Sequence, residues 1–468
     1  MTARTSVISV FKLLKQALTG EEQNFTEGSI NRAIFLLAVP MMLEMSMESI
    51  FAIVDIYFVT KLHSSAAVSA VGLTESMLSI VYSIAMGMSM GATAMVARRI
   101  GEKDNGGAAV AAVQSIYLGL LIAAVIGVIG FFFSRELLSA LGASDELLRV
   151  GSGYTKWMLT GNITVLMLFM INAVFRGAGN AAVAMRALII ANLVNLALDP
   201  IFIFGWGPIP AFGVEGAGIA TTTGRAVGVL YQLYYLLSKK GIIRFRREHF
   251  NIDWSVIGRL LKVSLGSIGQ FLIASASWIF LVNIMTRFGD AAVAGYTIAM
   301  RAMMFTLLPS WGMANAAATL VGQNLGAGQP DRAEKSVWKA GWINVAVLGV
   351  VSLAFLFGAE PILRFFSDNP DEIAYGSECL RTIAYGFVLY GFGMVVIQSL
   401  NGAGDTLTPT ILNLIAFWGF QIPLAYVLAI RLAYGPTGVF LAFVLAESLM
   451  ALAAILIFRR GKWKAVKI

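Results

Sequence analysis

Val96-Ala97-Arg98-Arg99-Ile100-Gly101 closes a long apolar run that starts near Ala66. Val321-Gly322-Gln323-Asn324-Leu325-Gly326 closes another that starts near Ala291, 225 residues further on. Each hexamer is followed by a polar loop. Ala66-Ala67-Val68 returns as Ala291-Ala292-Val293, and Gly177-Ala178-Gly179 returns as Gly402-Ala403-Gly404, at the same 225-residue interval. Gly213-Val214-Glu215-Gly216 has its counterpart in Gly435-Pro436-Thr437-Gly438, before the last apolar run of each half. A sequence that repeats itself over half its length is a duplicated fold, and that reading comes first.

The repeated unit is a membrane unit. Of 468 residues, 58% are hydrophobic and 13% charged, against roughly a quarter charged in an average soluble protein. Apolar windows of spanning length, about 20 residues, fall near 33–60, 66–97, 108–134, 150–174, 182–205 and 214–238. The second half supplies 256–285, 291–320, 334–358, 377–400, 407–430 and 436–459. Several exceed the bilayer's requirement, so tilt or extension beyond lipid is expected. An even number of spans per half gives both halves one orientation. The expected fold is therefore an all-α integral membrane protein with twelve transmembrane helices. They form two six-helix lobes related by a pseudo-twofold axis along the membrane normal, with a central cavity between them.

The expected domain plan is residues 1–32 as a cytoplasmic N-terminal segment, 33–238 and 256–459 as the lobes, 239–255 as a cytoplasmic linker and 460–468 as a basic tail. Val7 to Leu18 is too short to span, and the segment reads equally as an interfacial amphipathic helix or a loosely ordered tail. No cleavable signal peptide is expected. With the N-terminus inside, one face collects Arg98, Arg99, Lys103, Arg176, Arg186, the cations from Lys239 to Arg247 and those from Arg459 to Lys467. The other keeps scattered residues such as Lys61, Arg135, Arg149, Arg287, Arg364 and Arg431. That asymmetry predicts that both termini are cytoplasmic; the expected location is the inner (plasma) membrane.

The same placement disposes of a nucleic-acid partner. The net charge of +8 sits in short loops between apolar runs, with no basic stripe carrying stacking aromatics. Cys379 is the single cysteine, so no intrachain disulfide or thiolate metal cage forms. His63 and His249 are the two histidines, both in predicted loops, and a membrane-embedded transferase would want such chemistry inside the bilayer. No enzyme activity is expected.

Ionisable residues inside spans are the functional candidates, because burying them costs several kcal/mol unless they are paired or hydrated. Asp55 and Asp199 lead. Asn195 lies one turn before Asp199 on the same face, and Pro200 removes a backbone donor beside it. Carboxylates with an amide and a hydroxyl suit a hard cation, and a desolvated carboxylate alternatively takes up a proton. Glu44 and Glu48 share a face of the first span with Asp55 and read either as a wet stripe or as structural hydrogen bonds. Gln270, Asn283, Tyr390 and Gln398 complete the expected substrate-cavity lining. Glu75, Glu447, Arg225 and Arg301 also fall inside spans, where mutual pairing explains them most simply. The 21 methionines suit a pocket of adaptable shape, although ordinary packing accounts for most.

The chain resembles the multidrug and toxic compound extrusion (MATE) family. The resemblance is carried by Pro40, Ile53-Val54-Asp55-Ile56-Tyr57-Phe58-Val59, Phe175-Arg176-Gly177-Ala178-Gly179-Asn180, Asn192 to Pro200 and Gly213 to Thr221. It implies export of cationic or amphipathic drugs and toxins in exchange for protons or sodium ions, with no other cofactor, by a monomer working through alternating access. It also implies that Asp55, Asn195, Asp199 and Thr221 form the N-lobe coupling cluster, and sodium there is the sole metal expected. The longer loop from Trp206 to Phe212 leaves Thr222 and Thr223 as alternatives to Thr221. Some members carry a glutamate in the seventh span and an aspartate in the tenth. Here those positions are Ala274 and Tyr390, which speaks against a C-lobe cation site of that type and points to a DinF-like branch. The competing reading is a flippase for lipid-linked oligosaccharides, which would place cations in the cavity to hold pyrophosphate.

Overall fold

The computed structural model describes residues 2–20, 25–238 and 241–468; for residues 2–10 and 51–56 it describes the helical backbone alone. A helix, α1 (Thr2–Thr19), precedes the spans. The first lobe comprises α2 (Ile30–Thr60), α3 (Ser65–Gly101), α4 (Asn105–Ala140), α5 (Asp145–Thr160), α6 (Asn162–Gly177), α7 (Ala181–Phe204) and α8 (Val214–Leu237). The second comprises α9 (Trp254–Met285), α10 (Asp290–Gly326), α11 (Pro330–Arg364), α12 (Pro370–Ala403), α13 (Leu407–Arg431) and α14 (Pro436–Arg459). Helices α5 and α6 run as one span with a joint at Gly161, which brings the spans to twelve.

Among the described residues, eleven spans are long and apolar enough to cross a membrane by composition. The twelfth, α8, falls short because it carries Glu215, Thr221, Thr222, Thr223, Arg225 and Gln232. Its Thr221, Arg225 and Gln232 are buried, while Leu230, Tyr234 and Leu237 of the same helix are exposed. Large apolar side chains such as Leu121, Phe132, Ile279 and Phe357 are exposed around the outside, as a lipid-facing surface requires. Helix starts are capped in the ordinary way: Ser64, Asp104, Ser144 and Asn369 accept from backbone amides of their first turns. Gly404 ends α12 in the left-handed region that glycine occupies without strain.

The duplication is visible in how glycines let helices touch. In a bilayer, close backbone approach and packing replace the hydrophobic effect as the force between helices. A Cβ on Gly101 would lie 1.9 Å from the Gln323 carbonyl oxygen, and one on Gly326 would lie 2.1 Å from the Arg98 carbonyl oxygen. Both pairs interchange under the 225-residue repeat. Gly177 against Thr93 and Gly402 against Ala318 are equivalent in the same way, as are Gly151 against Ala70 and Gly376 against Gly295. Each lobe thus has its own core, the second extended by Leu37 and Met41 of α2.

The lobes meet through α2 packed along α10 and α3 packed along α9, two contacts that also interchange under the repeat. At one end of this interface the ends of α3 and α10 cross. There Gln323 Nε2 donates to the Gly177 carbonyl at 2.9 Å, while Arg98 donates to the Ala403 carbonyl at 3.2 Å and the Val466 carbonyl at 2.9 Å. The C-terminal segment lies over this crossing, with Trp463 buried and stacked on Phe458. The two lobes are therefore closed on the side that carries the tail.

Candidate functional site

Helix α7 presents Asn195 and Asp199 four residues apart, hence on one face, and α8 presents Thr221 opposite them. Asn195 Nδ2 lies 3.2 Å from Asp199 Oδ1 and 3.4 Å from Thr221 Oγ1, and all three side chains are buried. The α7–α8 spacing depends on Gly224: a Cβ there would stand 2.7 Å from the Ala191 carbonyl oxygen and 3.0 Å from Asn195 Cβ. Pro200 lies within α7; lacking an N–H, it leaves the carbonyl four residues earlier without its usual intrahelical donor. The Asn195 Oδ1 has no hydrogen-bond partner. The arrangement offers converging oxygens to a small cation. Asp55, the fourth member expected, lies in α2 with its side chain outside the described residues.

The loop that put Thr221 in question closes upon itself. Trp206 and Ile209 pair backbone to backbone, and Phe212 and Gly213 donate to the carbonyls of Phe202 and Ile203. Its extra length is spent before α8 begins, so Thr221 keeps its place beside Asn195.

Glu44 and Glu48 are not part of a cavity wall shared with the C-lobe candidates. Glu44 Oε1 accepts from Arg176 Nη1 and from Asn172 Nδ2, each at 2.9 Å. Arg176 Nη2 also donates to Ser89 Oγ at 2.5 Å, and Gln232 hydrogen-bonds to Asn172. Glu48 stands 3.9 Å from Arg225, which donates to Tyr82 Oη at 2.6 Å. Burial drives the pairing, since an unpaired charge at that depth would be far costlier. The spacing of Glu44 and Glu48 was legible; their partners were not, because Arg176 reads as a loop cation at the end of α6 and is instead buried.

In the C-lobe, Gln270, Tyr390 and Gln398 line one cavity of about 160 Å³ together with Ala274, Trp278 and Trp311. Its polar floor is an amide chain. Gln270 Nε2 donates to Asn401 Oδ1 at 2.9 Å and the Thr406 carbonyl at 3.2 Å, and Asn401 Nδ2 donates to Gln398 Oε1 at 2.9 Å. Asn283 is absent from it: about two and a half turns beyond Ala274, near the end of α9, its side chain is exposed. Glu447 of α14 lines the cavity instead. From sequence it falls inside a span with mutual pairing as its simplest explanation, and only the fold shows which space it faces.

The MatE family model matches residues 40–201 and again residues 267–427, one match within each lobe. The chain belongs to the MatE family. It is a multi-pass membrane transporter of that family and not an enzyme. It is 26% identical over 460 residues to the "Probable multidrug resistance protein NorM" of Thermotoga maritima, covering 97% of each chain. It is 24% identical over 434 residues to the "Multidrug export protein MepA" of Staphylococcus aureus, covering 92% of this chain and 94% of that one. Among solved structures, an outward-facing multidrug resistance MATE family transporter superposes with a TM-score of 0.88 at 27% identity, over 97% of this chain and 98% of that chain. A MATE solved in complex with MaL6 gives the same score and identity over 94% and 99%. The MATE fold accounts for the two lobes, the repeat and the closure beneath α3 and α10.

Proposed function

We propose that this MATE transporter is a secondary antiporter that exports organic cations or amphipathic drugs in exchange for protons or sodium ions. The observation that carries the reading is the buried Asn195–Asp199–Thr221 cluster, hydrogen-bonded across α7 and α8 inside a membrane lobe. A carboxylate in that position is the kind of group whose charge a coupling ion would neutralise. Asp55 is proposed as a member of the same cluster on the resemblance to the family alone. The cargo meets Gln270, Tyr390 and Gln398 in the C-lobe cavity, and rocking of the lobes about the α2–α10 and α3–α9 contacts gives alternating access.

Within this reading the lobes are residues 33–238 and 256–459, joined by the cytoplasmic linker 239–255. The N-terminal segment 1–32 and the basic tail 460–468 are cytoplasmic, and the protein works as a monomer in the plasma membrane. The DinF-like assignment rests on Ala274 and Tyr390 standing where other members carry acids. A flippase of anionic lipid-linked sugars fits less well, because Arg176 and Arg225 face Glu44 and Glu48 and so form no free cationic cradle.

The test is efflux of a fluorescent organic cation from proteoliposomes with an imposed proton or sodium gradient. An antiporter moves cargo against its own gradient when one of the two ions is supplied. Flux that only follows the cargo gradient under every ionic condition would show a passive path and sink the proposal.

A further inference from the structure

The C-lobe cavity holds two polar side chains with atoms that no described residue of the protein answers. Glu447 of α14 is 7% exposed, and its Oε2 has no hydrogen-bond partner. Gln421 of α13 is 1% exposed, and neither its Nε2 nor its Oε1 has one. Both line the same cavity, and no lysine or arginine is among the described residues lining it. This is unlike the other lobe, where Glu44 and Glu48 each face an arginine. Buried polar atoms are normally satisfied, so two unsatisfied side chains aimed into one space mark a place where something else completes the bonding.

Backbone geometry adds to the argument. Helix α13 winds as a π-helix over Leu414–Gln421, returns to α-helix at Ile422, and carries Pro423 two residues after Gln421. Such π segments cost hydrogen-bond quality and recur at functional sites, where they redirect a side chain. Here Gln421 is the last residue of the π segment. Five rings stand on the wall, Phe271, Trp278, Trp311, Phe417 and Phe443, with four methionines among them. Aromatic faces attract cations and accept apolar rings equally well.

We infer that Glu447 and Gln421 form a binding site for the ammonium head of an organic cation, with the aromatic wall receiving its ring. The inference rests on the reading of this chain as a carrier of cations, and it gives that cargo a specific anchor apart from the Asn195–Asp199–Thr221 cluster. The carboxylate supplies the countercharge, the amide oxygen of Gln421 turns the negative end of its dipole to the same head, which needs no N–H on the cation, and the cavity volume suits a single substituted ring. An uncharged ring of the same shape would keep the wall contacts and lose the anchor.

The test is equilibrium binding to the purified full chain in detergent, read by quenching of tryptophan fluorescence, since Trp278 and Trp311 line the cavity. The probes are phenyltrimethylammonium and its uncharged isostere tert-butylbenzene. Wild-type protein is expected to prefer the charged probe by at least tenfold. Glu447→Gln is expected to abolish the preference while leaving tert-butylbenzene binding unchanged, and Gln421→Glu is expected to strengthen binding of the charged probe. Gln421→Glu keeps the test decisive should Glu447→Gln not fold. Unchanged preference in Glu447→Gln, or no gain in Gln421→Glu, overturns the site while gradient-driven efflux of a larger cation leaves the antiporter reading intact. Wild-type protein that binds no charged probe and drives no efflux overturns both.

Discussion

Gly87 of α3 and Gly312 of α10 occupy the same place in the two repeats, and each is where its lobe touches the other. A Cβ on Gly87 would lie 2.4 Å from the backbone nitrogen of Ile268 in α9, and one on Gly312 would lie 2.5 Å from the backbone nitrogen of Met42 in α2. These are backbone contacts, so no side-chain rearrangement relieves them. Gly312→Val or Gly87→Val is expected to cost about 1–3 kcal/mol, the usual penalty for overpacking, and to splay the interface. Thermal unfolding in detergent measures the loss, and the two substitutions are expected to be similar in size because their environments repeat.

The buried Glu44–Arg176 pair gives a second prediction. Removing one partner leaves an uncompensated charge and is expected to cost about 3–5 kcal/mol, whereas replacing both with apolar side chains of similar volume costs much less. Glu44→Leu should therefore be severely destabilised, and Glu44→Leu combined with Arg176→Met should recover most of the loss. A double-mutant cycle on thermal stability reads the coupling directly; additive effects would mean that the 2.9 Å contact contributes nothing.

At the coupling cluster, Thr221→Val removes a hydroxyl with little change of shape. The hydroxyl accepts from the neutral Asn195 amide, and such a hydrogen bond contributes about 0.5–1.5 kcal/mol, so the ion concentration giving half-maximal efflux should rise by roughly twofold to tenfold. Gly224→Ala is expected to act at a distance in the same direction, by pushing α8 away from Asn195. Efflux titrated against the driving ion checks both.

The tail supplies a prediction about pH. Lys464 donates to Asp331 at 3.1 Å and stands 2.6 Å from Glu334, and the Glu334 hydrogen bond holds its ammonium above the ordinary lysine value of 10.5. A raised value means that this tether is fully present below the ordinary lysine value and is lost as pH climbs through the raised one. Limited proteolysis of the tail should accordingly stay slow from neutral pH to about pH 10 and quicken above it. Lys464→Glu, which sets like charges together, should release the tail at neutral pH.

How much of this was legible beforehand differs by level. The fold was, because spans and repeat are written in composition and in recurring short strings; even Gly87 and Gly312 fall at the repeat interval. Asn195 and Asp199 were legible too, since four residues in a helix fix a shared face. The partners of Glu44 and Glu48 were not, because Arg176 and Arg225 come from helices more than a hundred residues away. Asn283 was misplaced by treating polarity within a span as evidence of a cavity, when position along the helix decides it. The substitution of Ala274 and Tyr390 for acids speaks against a C-lobe cation site of that type, and α14 brings a different acid, Glu447, into the cavity that both residues line. A three-dimensional neighbourhood cannot be counted off one helix at a time.

In the proposed antiport, flux of cargo is tied to an ion held at Asp199. The most direct measurement is gradient-driven efflux of a fluorescent organic cation from proteoliposomes, comparing wild type with Asp199→Asn at matched levels of correctly inserted protein. The account predicts uphill efflux in the wild type, with either a proton or a sodium gradient, and its loss in Asp199→Asn. Uphill efflux at the wild-type rate in Asp199→Asn would contradict it.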